Sequence, residues 1–137
     1  MRILMILAMC QMALAEDRMR RETVALTILA EARGEGEGGM YRVACVIQQR
    51  VIQRKIPADR VCREEGQFAR GKRELFKSKS APYALKLADH LIREHKFDRE
   101  IVGFADHFCG ISCFPYWAKG LSPVATYGGH KFFKLNE

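Results

Sequence analysis

Three glutamates lie within one short stretch, TILAEARGEGEGG, which runs from Thr27 to Gly39. Glu31 ends an apolar run, whereas Glu35 and Glu37 lie among glycines. Burial and a negative helix end both disfavour a charged carboxylate, so a carboxyl group at the end of a helix favours its protonated form. Such a group suits a general acid that protonates a glycosidic oxygen. Glu31 is therefore eligible as an acid, and we expect Glu35 and Glu37 to be solvated and ionised. Spacing alone favours a solvated acidic turn.

A second group with possible chemistry lies near the end of the chain, where His107, Cys109, Cys113 and His130 have the residue types that bind zinc. Their spacing matches no recurring zinc-finger or metalloprotease pattern. In an exported chain, cysteines this close are more readily oxidised than loaded with metal. We therefore expect no metal and no cofactor.

Apolar residues at three- and four-residue steps predict the helices that would position these side chains. The predicted helices cover Asp17 to Arg33, Met40 to about Gln53, and Ala84 to Ile92. Gly34 is a natural end for the first of them. In the second helix, the pattern turns the side chains of Arg42, Gln49 and Arg50 away from the apolar face.

The connections are predicted from composition. The segment IPADRVC, residues 56–62, suggests a turn and a short helix. The polar segment 64–82 contains two glycines and reads as a surface loop. Segments 101–108 (IVGFADHF) and 124–133 (VATYGGHKFF) are rich in β-branched and aromatic residues and predict strands. The Gly128-Gly129 pair would turn a hairpin or make a bulge. We predict an α+β fold, mainly helical with a small C-terminal antiparallel sheet.

The N-terminus reads as a targeting segment. Arg2 precedes an apolar run from Ile3 to Met9, and Ala13-Leu14-Ala15 has the small-x-small form of a cleavage site. Residues 1–15 are therefore predicted to be a secretory signal peptide, and residues 16–137 a single domain. The apolar run is too short to span a bilayer, so we expect no stable membrane anchor. Four cysteines remain in the mature chain and allow three disulfide pairings, which the sequence leaves open: Cys45, Cys62, Cys109 and Cys113.

The net charge of +7 predicts a surface that attracts polyanions. Nucleic acid, acidic membranes and anionic cell-wall polymer all fit that charge. The chain contains no recognised nucleic-acid-binding module, so we expect no nucleic-acid partner.

Five segments in order resemble the SleB-type cell wall hydrolases, the spore-cortex-lytic enzyme family. The first is LAEARGEGEGGMYRVACVIQQRV, residues 29–51. The others are VC at 61–62 followed by GQF at 66–68, GFADHF at 103–108, PYWA at 115–118 and PVATYGGHKFF at 123–133. The resemblance spans about Glu22 to Phe133.

This resemblance implies a lysozyme-like domain that cleaves the glycan strands of peptidoglycan. We expect the protein to be a monomer. It implies that the catalytic glutamate lies in AEARGE, which places the role on Glu31, with Glu35 as the alternative. The segments that match later in the chain provide the residues predicted to bind substrate: Gln67, Phe68, His107, Tyr116, Trp117 and His130. The family also favours lytic transglycosylase chemistry, which needs a single glutamate.

Two positions depart from the family pattern. Asp106 stands before His107, where the family usually has a small hydroxyl residue, and Ala69-Arg70 replace the usual serine and aromatic. A muramidase would need a second carboxylate, for which Asp106 is a candidate. A non-catalytic peptidoglycan-binding protein of the same fold is the further alternative, although both Glu31 and Glu35 are present.

Overall fold

The computed structural model describes residues 1–64 and 68–136. Four α-helices precede a small sheet: α1 (Arg2–Ala32), α2 (Gly36–Arg54), α3 (Ala58–Cys62) and α4 (Ala81–Ile92). Four short 3-10 helices connect them or lie between strands: Arg33–Glu35, Arg73–Lys77, Arg99–Val102 and Tyr116–Ala118. The strands are β1 (His107–Gly110), β2 (Ala125–Tyr127) and β3 (His130–Phe133). The predicted α+β class, with helices first and a small antiparallel sheet last, is confirmed.

The core forms between α1, α2 and α4, which pack on one another. The buried face of α1 begins at Val24 and continues through Ile28 and Leu29 at the predicted spacing. α4 contributes Ala84, Leu87, Ala88 and Leu91. From Met1 to Arg21 every residue of the chain is exposed. The predicted signal peptide, residues 1–15, lies within this exposed part of α1. No helix in the described part of the chain is both long enough and apolar enough to cross a membrane.

The prediction that Gln49 and Arg50 face away from the core is wrong. Arg50 is 2% exposed and Gln49 is 7% exposed. α2 lies between the other helices on one side and the sheet with its preceding loop on the other, so it is covered over a wider arc than the apolar stripe indicates. On the sheet side the chain supplies polar partners: the Gln49 side chain accepts a hydrogen bond from Arg99, and Arg50 Nε donates to the carbonyl oxygen of Asp106.

β3 lies between its two neighbours in an antiparallel sheet of strand order β1-β3-β2. Phe108 pairs with Phe132, and Ala125 pairs with the same residue from the other side. Gly128 and Gly129 connect β2 to β3, so the predicted hairpin is confirmed. The prediction of a strand from residue 101 is wrong, since residues 99–102 form a 3-10 helix and the strand begins at His107. Gly103 and Phe104 both have left-handed backbones, at φ +61° and +56°, which an extended strand does not permit.

The carboxylate of Asp106 joins three parts of the chain. It is 1% exposed. Its oxygens accept hydrogen bonds from the N–H groups of Leu135 and Asn136, at 2.9 and 2.8 Å, and from Gln53 Nε2 on α2, at 3.2 Å. His107 Nδ1 lies 2.9 Å from the same carboxylate. Burial raises the pKa of Asp106, but the hydrogen bonds from His107, Leu135, Asn136 and Gln53 outweigh it and lower the pKa to about 2.

We predict that this carboxylate makes the fold acid-sensitive. Because its folded pKa lies below the unfolded value of about 4, its stabilisation of about 2.5 kcal/mol is complete above about pH 5. It is lost as the pH falls through 4 towards 2. Asp106→Asn should lower the free energy of unfolding by about 2–4 kcal/mol at pH 7, because the amide nitrogen cannot accept the N–H bonds.

Urea unfolding at pH 7 and pH 3 measures both effects, and Asp17→Asn, an exposed aspartate on α1, is the matched control. The wild type and the control should lose more stability between the two pH values than Asp106→Asn does. Equal acid sensitivity in all three proteins would contradict the assignment.

Candidate active site

Glu31 lies in the last turn of α1, where the sequence predicted it. Its side chain is partly exposed, and Oε1 accepts a hydrogen bond from the backbone N–H of Ala69 at 2.5 Å. This contact joins the end of α1 to the segment that follows α3. The negative charge of Glu31 is one of the influences that raise the pKa of Arg50 against the effect of burial. Glu31 is thus held at one oxygen.

The expectation that Glu35 is solvated is wrong, because its carboxylate is enclosed. Its side chain is 20% exposed, and Oε1 lies 2.5 Å from His130 Nδ1 on β3. Oε2 is buried and has no hydrogen-bond partner among the described residues. The enclosure follows from the glycine turn of the hairpin, which brings bare backbone against the carboxylate. A Cβ atom built on Gly128 would lie 2.8 Å from Oε2, and one on Gly129 would lie 3.4 Å from Oε1. Glu37, by contrast, is exposed as expected.

A row of rings runs between the two glutamates. The Phe68 ring, next to the Ala69 N–H that binds Glu31, lies 6.0 Å from the Phe108 ring between centroids. Phe108 in turn meets the His130 ring edge-on at 5.1 Å. His130 then bonds Glu35. The two carboxylates are therefore fixed at opposite ends of one continuous set of packed side chains.

A pocket of about 520 Å³ opens beside this row. Arg50, His107, Phe108 and Trp117 line it, together with Cys109 of β1 and residues 113–115 of the segment that follows this strand. The His107 ring lies 4.9 Å from the Trp117 ring, and Trp117 meets Phe133 edge-on at 5.4 Å. Since the ionised Asp106 carboxylate can only accept, His107 Nδ1 must donate to it, which leaves Nε2 for other partners.

The predicted binding residues have different surroundings. His107 and Trp117 line the pocket, and His130 joins Glu35. Tyr116 is 91% exposed and makes no part of the core. Phe68 is 8% exposed and packs under the Arg50 guanidinium, which lies 4.5 Å from its ring centre, and a contact of this ring with a ligand stays a prediction. Gln67 lies outside the described residues.

Asp106 does not fit the role of a second catalytic carboxylate. Its side chain is buried, and its oxygens are bonded to His107, Gln53 and the backbone at the C-terminal end. A group with so little exposure cannot reach a water molecule beside a sugar ring. The position that departs from the family pattern is therefore structural in this chain.

Arg50 is the site residue that sequence reasoning missed. Burial lowers the pKa of its guanidinium to about 10, and the negative charges of Asp106 and Glu31 act in the opposite direction. The available signal was its place on the apolar stripe of α2, seven residues after Val43 and three after Ile47. An arginine at that spacing either lies at the edge of the apolar stripe or is buried with a specific partner for its charge.

The cysteines are free thiols. Burial raises the pKa of Cys45 and of Cys62 to about 12, so neither is a reactive thiolate at neutral pH. Across residues 1–64 and 68–136 no group of three or more histidine, cysteine, aspartate or glutamate side chains is arranged to hold a metal ion.

No protein-family model matches the chain, and neither the curated proteins nor the solved structures compared with it include a match.

The glycine turn predicts a measurable coupling to Glu35. Gly128→Ala should lower the free energy of unfolding by about 2–4 kcal/mol, because the new methyl group meets Oε2 and the backbone there is left-handed at φ +53°. Gly120→Ala is the matched control, since its φ is +76° but nothing lies within 4 Å of the added carbon. The control should lose only about 1 kcal/mol.

A double-mutant cycle isolates the contact with the carboxylate. In a Glu35→Ala background, the cost of Gly128→Ala should fall to that of Gly120→Ala. Chemical denaturation of the four proteins of the cycle supplies the free energies. An unchanged cost in the Glu35→Ala background would show that the hairpin does not close on this side chain.

Proposed function

We propose that the protein cleaves the glycan strands of peptidoglycan as an exported, lysozyme-like lytic transglycosylase. The observation that carries this proposal is Glu31, a partly exposed carboxyl group at the end of a helix that is held at one oxygen by the N–H of Ala69. The ordered resemblance to SleB-type cell wall hydrolases supports the same substrate. Export is supported by the large apolar side chains of residues 1–15, which are exposed and make no core.

Glu31 suits the acid better than Glu35. Both oxygens of Glu35 are enclosed, one by His130 and the other under the glycine turn, so a sugar cannot approach them without opening the hairpin. At Glu31 the Ala69 N–H holds Oε1 and orients the carboxyl group, and Oε2 is left for the glycosidic oxygen. We assign Glu35 and His130 the role of bracing the α1–α2 junction against the sheet.

In the proposed reaction, Glu31 first donates a proton to the oxygen that links muramic acid to the next sugar, and the C1–O bond breaks. The carboxylate so formed then accepts the proton of the muramic acid 6-hydroxyl as its oxygen attacks C1. A 1,6-anhydro sugar results, Glu31 ends protonated, and no water is consumed. Hydrolysis would need a second carboxylate with room for water. Neither Asp106 nor Glu35, as placed in the described structure, is open enough to serve.

Digestion of purified peptidoglycan tests this assignment. Glu31→Gln should lower the rate of muropeptide release by about 10²–10⁴-fold, because the amide cannot donate the proton. Mass spectrometry of the wild-type products should show 1,6-anhydro ends. Glu37→Gln, an exposed glutamate of the same segment, is the matched control and should keep full activity.

Three outcomes would change the proposal. Reducing ends in place of anhydro ends would indicate a muramidase. Full activity in Glu31→Gln with loss in a folded Glu35→Gln would move the acid to Glu35. Binding of peptidoglycan without release of any muropeptide by the wild type would indicate a non-catalytic wall-binding protein.

A further inference from the structure

Arg50 is a buried cation with an incomplete set of partners. It is 2% exposed, and its Nε donates to the carbonyl oxygen of Asp106 at 2.6 Å. Its Nη1 is buried and has no hydrogen-bond partner among the described residues. Among the residues that the structure describes, no carboxylate forms an ion pair with Arg50. The negative charge of Glu31 raises the pKa of Arg50. The hydrogen bond that Glu31 Oε1 accepts, however, comes from Ala69 and not from Arg50.

A buried arginine with a free donor destabilises the fold unless an acceptor completes its hydrogen bonds. A buried donor without an acceptor costs about 1–3 kcal/mol, and more when the group is charged. Native proteins rarely keep such a group without a structural or binding reason. The neighbouring groups do not supply the acceptor: the Asp106 carboxylate oxygens are taken by other donors, and one face of the guanidinium rests on the Phe68 ring.

The pocket in front of Arg50 has the chemistry of a site for an anion carried on a ring. Arg50 forms part of its wall, and none of its lining residues is acidic. His107 Nδ1 is committed to Asp106, which leaves Nε2 as a second polar atom of the wall. The indole of Trp117 and the ring of Phe108 supply flat apolar surface. Aromatic faces combined with a cation suit a sugar that carries a carboxylate.

We propose that this pocket binds the free lactyl carboxylate of an N-acetylmuramic acid residue, with Arg50 Nη1 as the donor and Trp117 against the sugar ring. The choice of sugar rests on the proposed function, whereas the preference for a carboxylate rests on Arg50. Because Nη1 is screened from water, the wall must open slightly as the carboxylate enters. The ion pair then forms in surroundings of low polarity, where it is stronger than at the surface. The preferred substrate is therefore glycan whose muramic acid has lost its peptide.

Binding can be read without turnover, because Trp117 is the single tryptophan of the chain and lines the pocket. The titration follows the fluorescence of the full-length wild-type protein with N-acetylmuramic acid, its methyl ester, N-acetylglucosamine and inorganic phosphate. N-acetylmuramic acid should bind at least about tenfold more tightly than the ester or N-acetylglucosamine, which lack the charge. Equal binding of the acid and its ester, or phosphate binding as tightly as the acid, would overturn the proposal.

Variants then test the donor. Arg50→Lys should weaken N-acetylmuramic acid binding at least about tenfold, since lysine cannot present the same planar fork. Arg54→Lys, one turn further along α2 and paired with Glu64, is the matched control and should bind as the wild type does. Circular dichroism checks that both proteins fold. Unchanged affinity in a folded Arg50→Lys overturns the assignment, and the ligand series on the wild type decides the matter if that variant does not fold.

The two proposals fail separately. A protein that prefers the acid over its ester but releases no muropeptides would keep the carboxylate site and lose the enzyme. An active protein that cuts peptide-bearing and peptide-free strands equally, with no preference for the acid in the titration, would keep the enzyme and lose the site.

Discussion

The hydrogen-bonded carboxylate of Asp106 sets the position of the sheet relative to the helices. Burying a charge is costly, so it persists only where donors are fixed around it. Here the donors come from α2, from β1 and from the backbone after β3. These three elements can satisfy one carboxylate only in one mutual arrangement. This arrangement also positions the β2–β3 hairpin, whose turn reaches Glu35.

Arg50 extends the same arrangement to the pocket. Its Nε bonds to the backbone of Asp106, and its guanidinium covers Phe68. The residue next to Phe68 holds Glu31. One buried cation therefore links Glu31 at the end of α1, through Phe68 and Ala69, to the wall of the pocket beside β1. The sequence elements that resemble a cell wall hydrolase are distant along the chain, and these polar contacts bring them together.

The elements with a clear period were predictable from sequence, and the polar contacts between them were not. α4 and the glycine hairpin follow from apolar spacing and turn residues. Arg50 was assigned to the solvent side although its spacing continues the apolar stripe, since the pattern contains nothing about the acceptor on a distant loop that permits an arginine to be buried. The strand predicted from residue 101 failed for a local reason, since apolar residues of β type carry no signal for the left-handed turn at Gly103 and Phe104.

Glu31 and Glu35 show that residue type alone does not predict the surroundings of a side chain. They are the same residue four positions apart, and both match the glutamates of AEARGE. What separates them is which partner reaches each carboxylate: a single backbone N–H for Glu31, and a histidine with two glycines for Glu35. The partners of Glu35 lie on the hairpin near the C-terminal end of the chain, far from Glu35 in the sequence. An enclosed carboxylate holds structure together, whereas a partly exposed carboxylate that is bonded at one oxygen can exchange a proton with a ligand. The different surroundings of the two glutamates are thus made by the hairpin, not by the glutamates themselves.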